Sequence, residues 1–286
     1  MRLALLGTGL LGAAIARRLK ETGHDICVWN RDPSRSAPLA GEGIPVDGSA
    51  AGAMAGADFI LLALSDLAAI EAVLFSAEAQ WALPGKTLIQ MGTIAPRESR
   101  ALAARLEAAG ARYLEAPVLG SVPEALRGSL IIMAGGSSEV FRDCLPVLLS
   151  LGTDPRHIGT LGQGAALKLA MNQLIASLTT GFALSLSLVR TEGVAVEQFM
   201  ELLRKSALYA PTFDKKLDKY LAHSYGNPNF PLKHLIKDTA LFAQVAETSG
   251  IDRRLLDSML AIFEDGRAAG FADQDYSALY EAVNLG

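Results

Sequence analysis

The chain opens on a short apolar run, residues 3–6, that breaks at Gly7. Behind it Leu10, Leu11, Ala14, Ile15 and Leu19 recur at spacings of three and four, with Arg17, Arg18, Lys20 and Glu21 between them. That period predicts an amphipathic helix with one buried stripe, stopped by Gly23. Residues 25–29 follow as a second strand. Residues 59–64 (FILLAL) are apolar without alternation, as expected for a strand covered on both faces of a parallel sheet. Further strands are predicted over 86–91, 112–118 and 130–134, with a short one at 157–158. Helices over 96–109 and 138–149 separate them. Strands alternating with helices predict βαβ units and a mostly parallel sheet.

The pattern changes near residue 164. Helical periodicity then dominates, over 196–206, 232–249, 253–269 and 276–283, with breaks at Gly250, Gly270 and the Asn227-Pro228-Asn229 turn. The predicted organisation is an α/β domain over residues 1–161 and an all-helical domain over 162–286. Residues 169–189 carry no charge and are long enough to span a bilayer. They also hold Asn172, Gln173, Ser177, Thr179, Thr180, Ser185 and Ser187, too many polar groups for a lone lipid-facing helix. A helix apolar nearly all round is equally suited to the core of a large soluble protein, and no membrane partner is expected.

Composition narrows the function classes. The 286 residues are 50% apolar and 20% charged, which excludes a disordered chain. The formal net charge of -4 lacks the basic excess of a nucleic-acid binder. Cys27 and Cys144 are too few for a disulfide framework and lack metal-ligand spacing, so both are expected to be small buried residues and no metal site is expected. Met1-Arg2 leads into only a short apolar run before glycines, unlike a secretory signal, so the expected location is cytoplasmic. The four histidines show no nucleophile or metal pattern; His24 is expected to cap or pack, and His157 and His223 have no evident role.

Two segments suggest chemistry. Gly7-Thr8-Gly9-Leu10-Leu11-Gly12 is G-x-G-x-x-G between a strand and a helix, the context of a dinucleotide-binding loop. Gly7 makes the turn, Gly9 lets a pyrophosphate approach the backbone, and Gly12 allows the helix to pack closely. The helix N-terminus offers N–H donors and a positive dipole end. At the end of the second strand NAD proteins usually place an acid for the ribose. Here the strand ends in Asn30 and Arg31, with Asp32 and Arg35 further along. An arginine suits a 2′-phosphate, so NADP(H) is favoured over NAD(H), with Asp32 as the alternative ribose partner. The second segment runs from Gly162 to Asn172. Lys168 and Asn172 are four apart on one helix face. A lysine flanked by Leu167 and Leu169 is costly to bury unless paired or functional, and desolvation makes an ammonium a readier proton donor. Further on, Lys233 and Lys237 are one turn apart and could meet a carboxylate, with His234 and Asp238 on the adjoining face; alone, that pattern also fits a solvated helix.

Together these residues resemble the β-hydroxyacid dehydrogenase family, which includes 3-hydroxyisobutyrate dehydrogenases and glyoxylate/succinic semialdehyde reductases. The resemblance runs through the glycine loop, Glu115-Ala116-Pro117-Val118-Leu119-Gly120-Ser121, residues 128–136, Gly162 to Asn172, and Lys237-Asp238. Asn30-Arg31, Phe230-Pro231-Leu232-Lys233-His234 and residues 268–278 are most similar to the glyoxylate/succinic semialdehyde reductase branch. The resemblance implies a Rossmann domain joined by a long interdomain helix to an all-α domain. It implies Lys168 as the catalytic lysine and Asn172 as its partner. It implies cofactor contacts at Gly7, Thr8, Gly9, Leu10, Leu11, Gly12, Asn30, Arg31, Arg35, Leu64, Thr93 and Lys237. It implies substrate contacts at Leu119, Gly120, Ser121, Phe230, Lys237 and Asp238. Two departures stand out. Leu119 replaces a serine whose hydroxyl helps hold the substrate carboxylate, leaving that task to backbone N–H groups near Gly120 and Ser121 and to Lys237. Gln90-Met91-Gly92-Thr93 replaces D-x-S-T, keeping only the threonine. The implied reaction is NADPH-dependent reduction of a small aldehyde or keto acid, such as succinic semialdehyde or glyoxylate, or in reverse the oxidation of a hydroxy acid such as 4-hydroxybutyrate. The alternatives are a 3-hydroxyisobutyrate-type dehydrogenase, an imine reductase and a non-catalytic dinucleotide-binding module; Lys168 argues against the last two. Helical domains of this family pair, which implies a homodimer or homotetramer.

Overall fold

The computed structural model describes residues 1–284. The chain divides into two compact units, Met1–Lys168 and a second that begins at Leu169.

The first unit is built on eight strands: β1 (Arg2–Leu6), β2 (Asp25–Trp29), β3 (Phe59–Leu62), β4 (Thr87–Gln90), β5 (Arg112–Glu115), β6 (Val118–Leu119), β7 (Ile131–Gly135) and β8 (Arg156–Gly159). Their order across the sheet is β2-β1-β3-β4-β5-β7-β6, with β8 also on β7. The first five strands are parallel, with Leu5 opposite Val28 on one side and Leu61 on the other. Alternate residues of β1 feed two cores. Leu3 and Leu5 join Ile15, Val28, Ile89 and Leu148 on one face. Ala4 and Leu6 join Ile60, Ile70, Leu88 and Leu102 on the other. Burial on both faces is why these strands read as unbroken apolar runs. The helices that cover them are α1 (Leu10–Glu21), α2 (Ala37–Gly41), α3 (Ala50–Ala55), α4 (Leu67–Leu74), α5 (Pro96–Ala108), α6 (Val122–Arg127) and α7 (Ser138–Leu151).

Three details differ from the sequence expectation. β3 ends at Leu62, so Leu64 lies in the loop beyond it. The strand expected over 112–118 is two strands, because Pro117 between them has no N–H to give a ladder; its carbonyl instead accepts from the Met133 N–H at 3.0 Å. β7 runs antiparallel to β5 and β6, a direction that hydrophobic periodicity does not encode.

The second unit is helical. α8 (Gln163–Thr191) begins in the first unit and continues into the second, followed by α9 (Val196–Lys205), α10 (Pro211–Ala222), α11 (Leu232–Ser249), α12 (Arg254–Ala268) and α13 (Leu279–Ala282). Its core gathers Phe182, Phe213, Tyr220, Leu235 and Phe263, with the Phe182 and Phe213 rings stacked at 4.6 Å. α10 was not anticipated because its run of charges hides a buried one. Lys216 is buried and its Nζ donates to Asp275 Oδ1 at 2.6 Å. The Ser277 N–H and Oγ bond the same oxygen at 3.1 and 2.7 Å. The segment around Asp275 also fixes the start of α11, through Leu232 N–H to Gln274 O and Tyr276 N–H to Phe230 O, both 2.9 Å.

α8 is long and apolar enough to cross a membrane by length and composition. Three of its hydroxyls turn inward on its own backbone: Thr179 donates to Ile175 O at 2.6 Å, Thr180 to Ala176 O at 2.8 Å and Ser187 to Ala183 O at 2.9 Å. One face packs Ala176, Phe182, Ala183 and Leu186 into the helical core, while Leu174, Leu178, Leu184 and Leu188 are exposed.

Candidate active site

The glycine loop joins β1 to α1. A side chain on Gly7 (φ +103°) would lie 2.5 Å from Ala63 O, and one on Gly12 would lie 1.9 Å from Gly7 O. Both glycines are therefore required by the protein's own packing. Gly9 is different: a Cβ there would meet nothing within 4 Å, and Gly9 caps α1 with no side-chain hydrogen bond to the first turn. An open approach to uncapped N–H groups at the positive end of a helix is what a pyrophosphate needs, so the loop fits a dinucleotide. Leu10 is exposed at the helix start and Leu11 half-buried.

Thr8 is buried, and its hydroxyl accepts from Asn30 Nδ2 at 3.0 Å. The Asn30 Oδ1 accepts from the Asp32 N–H at 3.0 Å. One side chain thus ties the glycine loop to the turn after β2. Asp32 is engaged within that turn: its Oδ1 accepts from the Ser34 N–H and Oγ at 3.0 and 2.7 Å, and Arg35 lies 3.6 Å away. The Ser34 hydrogen bonds hold its carboxyl below the ordinary carboxylate range. Arg31 and Arg35 are exposed on the same turn. The exits of β3 and β4 close in beside the loop. A Cβ on Gly92 would lie 2.7 Å from Leu64 O, and the buried Gln90 side chain folds back to accept from the Gly92 N–H at 2.8 Å. Leu64 and Thr93 are both half-buried at these exits.

The start of α8 is held by Glu115, a role the sequence reading did not give it. Its Oε1 accepts from the N–H groups of Gly162, Gly164 and Ala165 at 2.8, 2.8 and 3.3 Å. Its Oε2 accepts from Ser99 Oγ, which also bonds Tyr113 Oη at 3.0 Å. A carboxylate on three orphan N–H groups complements the helix dipole. Lys168 lies in the second turn and is only 8% exposed. Asn172, one turn on, is buried and donates from Nδ2 to Asp238 Oδ2 at 2.6 Å. The other oxygen of Asp238 pairs with Lys237 Nζ at 3.0 Å. The helical unit thus brings Asn172, Asp238 and Lys237 together through one buried carboxylate. Phe230 stacks on His234 at 6.0 Å and meets Tyr276 edge-on at 5.8 Å. Burial, then the charge of Lys237, lowers the His234 pKa.

The substrate segment departs from expectation. Leu119 ends β6 half-buried, and Gly120 takes φ +128°. The Ser121 N–H, one of the backbone donors expected to hold a substrate carboxylate, donates to Glu124 Oε2 at 2.7 Å, as does the Ser121 Oγ. His24 bonds Ser150 Oγ at 2.8 Å, His157 bonds Gly136 O at 2.9 Å, and His223 bonds Glu281 at 2.6 Å, so these three have structural partners. Cys144 is buried, which pushes its thiol up to about 12 and makes it a poor nucleophile. Among the described residues no group of three or more His, Cys, Asp and Glu side chains is placed to hold a metal.

The profile of the NAD-binding domain of 6-phosphogluconate dehydrogenase matches residues 2–162. The profile described as NAD-binding of NADP-dependent 3-hydroxyisobutyrate dehydrogenase matches residues 162–283. Glyoxylate/succinic semialdehyde reductase 1 of Arabidopsis thaliana is 30% identical, covering 100% of this chain and 99% of the relative. The fold matches a 3-hydroxyisobutyrate dehydrogenase from Salmonella typhimurium, with TM-score 0.88, 24% identity and coverage of 98% and 99%. It also matches an imine reductase from Myxococcus stipitatus in complex with NADP+, with TM-score 0.66, 21% identity and coverage of 99% and 100%. With both halves matched in order and a relative aligned end to end, the chain belongs to the β-hydroxyacid dehydrogenase family of NAD(P)-dependent oxidoreductases acting on CH–OH groups.

Proposed function

We propose that the chain is an NADPH-dependent reductase of small aldehydes and keto acids, with chemistry of the succinic semialdehyde or glyoxylate reductase type. The observation that carries this reading is the buried ammonium of Lys168 one turn before Asn172. When bound, NADPH supplies a hydride to the carbonyl carbon. The residues that would hold it are Gly7 to Gly12, Asn30, Arg31, Arg35, Leu64 and Thr93. The preference for the 2′-phosphate is supported by Asn30 at the end of β2, by Arg31, and by the commitment of Asp32 to Ser34 within its own turn.

Lys168 donates its proton from Nζ to the carbonyl oxygen as that oxygen becomes an alkoxide, and the neutral amine recovers a proton from solvent. Charge develops on the oxygen only near the transition state, so an ammonium already in place lowers the barrier without tightening ground-state binding. Asn172, anchored by Asp238, fixes the helix face from which Lys168 acts. Lys237, held on the same carboxylate, supplies positive charge.

The test is NADPH oxidation over a panel of carbonyl compounds that includes succinic semialdehyde, glyoxylate and uncharged aldehydes of graded length. On the best substrate, Lys168→Ala should lower kcat by about 10²–10⁴-fold, the usual contribution of a positioned acid, with the Kd for NADPH unchanged. Activity within tenfold of the parent overturns the assignment. We also propose self-association as a homodimer or homotetramer, supported by the exposed leucines along α8; a monomer in sedimentation at micromolar concentration overturns that.

A further inference from the structure

We propose that Lys216 and Asp275 are positioning residues for the reaction: together they hold the start of α11 where it sets Asp238 on Asn172. This rests on the carbonyl-reductase reading above and adds to it two residues that lie outside α8 and α11.

α11 begins without a side-chain cap, so its first N–H groups must be met by other means. The segment 272–276 meets two of them. The Lys233 N–H donates to Ala272 O and the Leu232 N–H to Gln274 O, both at 2.9 Å, and the Tyr276 N–H returns a bond to Phe230 O at 2.9 Å. These bonds make 272–276 an antiparallel splint along the entry to α11, with Pro231 opposite Asp275. The splint is fixed in turn at Asp275. Its side chain is fully buried, and its Oδ1 accepts from Lys216 Nζ at 2.6 Å and from the Ser277 N–H and Oγ at 3.1 and 2.7 Å. Lys219 lies 3.6 Å from the other oxygen. The buried Lys216 ammonium also sits 4.1 Å from the centre of the Tyr276 ring, a cation–π contact, and that ring meets Phe230 edge-on at 5.8 Å. A helix is stiff and rises about 1.5 Å per residue, so its first turn decides where Asp238 lies about 9 Å further along. There Asp238 Oδ2 accepts from Asn172 Nδ2 at 2.6 Å, and a bond that short tolerates little drift.

Stability does not explain why the clamp is ionic. Burying two charges costs enough desolvation that apolar replacement of a buried pair is often neutral or stabilising. What an apolar contact lacks is direction, because it can slide. A cation shared between a carboxylate and a ring face, with the carboxylate already held by Ser277, has one register.

The neutral pair Lys216→Met with Asp275→Asn removes both charges and keeps an acceptor for the Ser277 N–H and hydroxyl. On the best substrate of the carbonyl panel it should lower kcat about tenfold or more, since a misplacement of about 1 Å can cost about 10²-fold. Its Tm, followed by circular dichroism, should stay within about 4 °C of the parent. In an Asn172→Ala background, where the clamp has nothing left to place, the same pair should lower kcat less than about threefold, whereas independent effects would multiply. An unchanged kcat, a Tm that falls by more than that, or a loss just as large in the Asn172→Ala background overturns the proposal and leaves the carbonyl-reductase reading standing. A parent inert on every carbonyl compound overturns that reading and this proposal together.

Discussion

Removing the Glu115 carboxyl should loosen the first turn of α8, the turn that precedes Lys168. The side chain is 1% exposed and its Oε1 satisfies three backbone N–H groups, two of them at 2.8 Å. Glu115→Ala leaves those donors in a buried site. An unsatisfied buried donor costs about 1–3 kcal/mol. Counting the two short bonds fully, and allowing water to reach the long one, gives a loss of about 2–6 kcal/mol. That is a large fraction of the roughly 5–15 kcal/mol that holds a domain folded. Glu115→Gln keeps an acceptor on the N–H groups but removes the charge facing the helix dipole, an effect of about 0.5–2 kcal/mol. Both tryptophans, Trp29 and Trp81, lie in the same unit as Glu115. Tryptophan fluorescence in a urea titration therefore reports the affected unit directly. The expected order is parent, Gln, then Ala, with the Ala midpoint clearly lowest. An Ala variant within about 1 kcal/mol of the parent, or a Gln variant as damaged as Ala, would refute the cap and its charge as the source of stability.

Thr8→Val keeps the shape but strands the Asn30 amide, and should weaken NADPH binding several-fold, as expected for loss of about 1 kcal/mol of hydrogen bonding; Thr8→Ser should restore it, and fluorescence titration with NADPH checks both. His234 has a folded-state pKa below its unfolded value, from burial and then Lys237. Its contribution to stability is therefore present above the ordinary histidine pKa and lost as pH falls through that value toward the lower folded one. Between pH 7 and pH 5 the Tm of the parent should fall more steeply than that of His234→Gln, and parallel slopes would refute the assignment.

Much of the fold could be read from the sequence because its signals are local. The unbroken apolar runs of β1 and β3, the period of α1 and the glycines at the loop are each contained within a few residues. What escaped reading depends on distance along the chain. Glu115 meets its N–H partners 47 to 50 residues later, and a lone acid at a strand end carries no mark of that. Lys216 looks like one more surface charge of α10 until Asp275, 59 residues on, is placed against it. The antiparallel course of β7 was hidden for a different reason, since a strand has the same periodicity in either direction. At the candidate site the cofactor loop and the Lys168–Asn172 spacing were legible, as both are short-range patterns. The engagement of Ser121 by Glu124 is also short-range, and S-x-x-E is a capping signature. The resemblance assigns Ser121 to the substrate, whereas the local pattern marks it as a helix cap.

The three glycines of the cofactor loop answer to different constraints. Gly7 and Gly12 are demanded by the chain itself, because any side chain would collide with backbone. Gly9 is demanded by nothing in the protein. Among relatives that have given up the nucleotide, the middle glycine should drift first while the outer two persist for as long as the fold does. The middle position then serves as a record of ligand use, and the outer pair as a record only of ancestry.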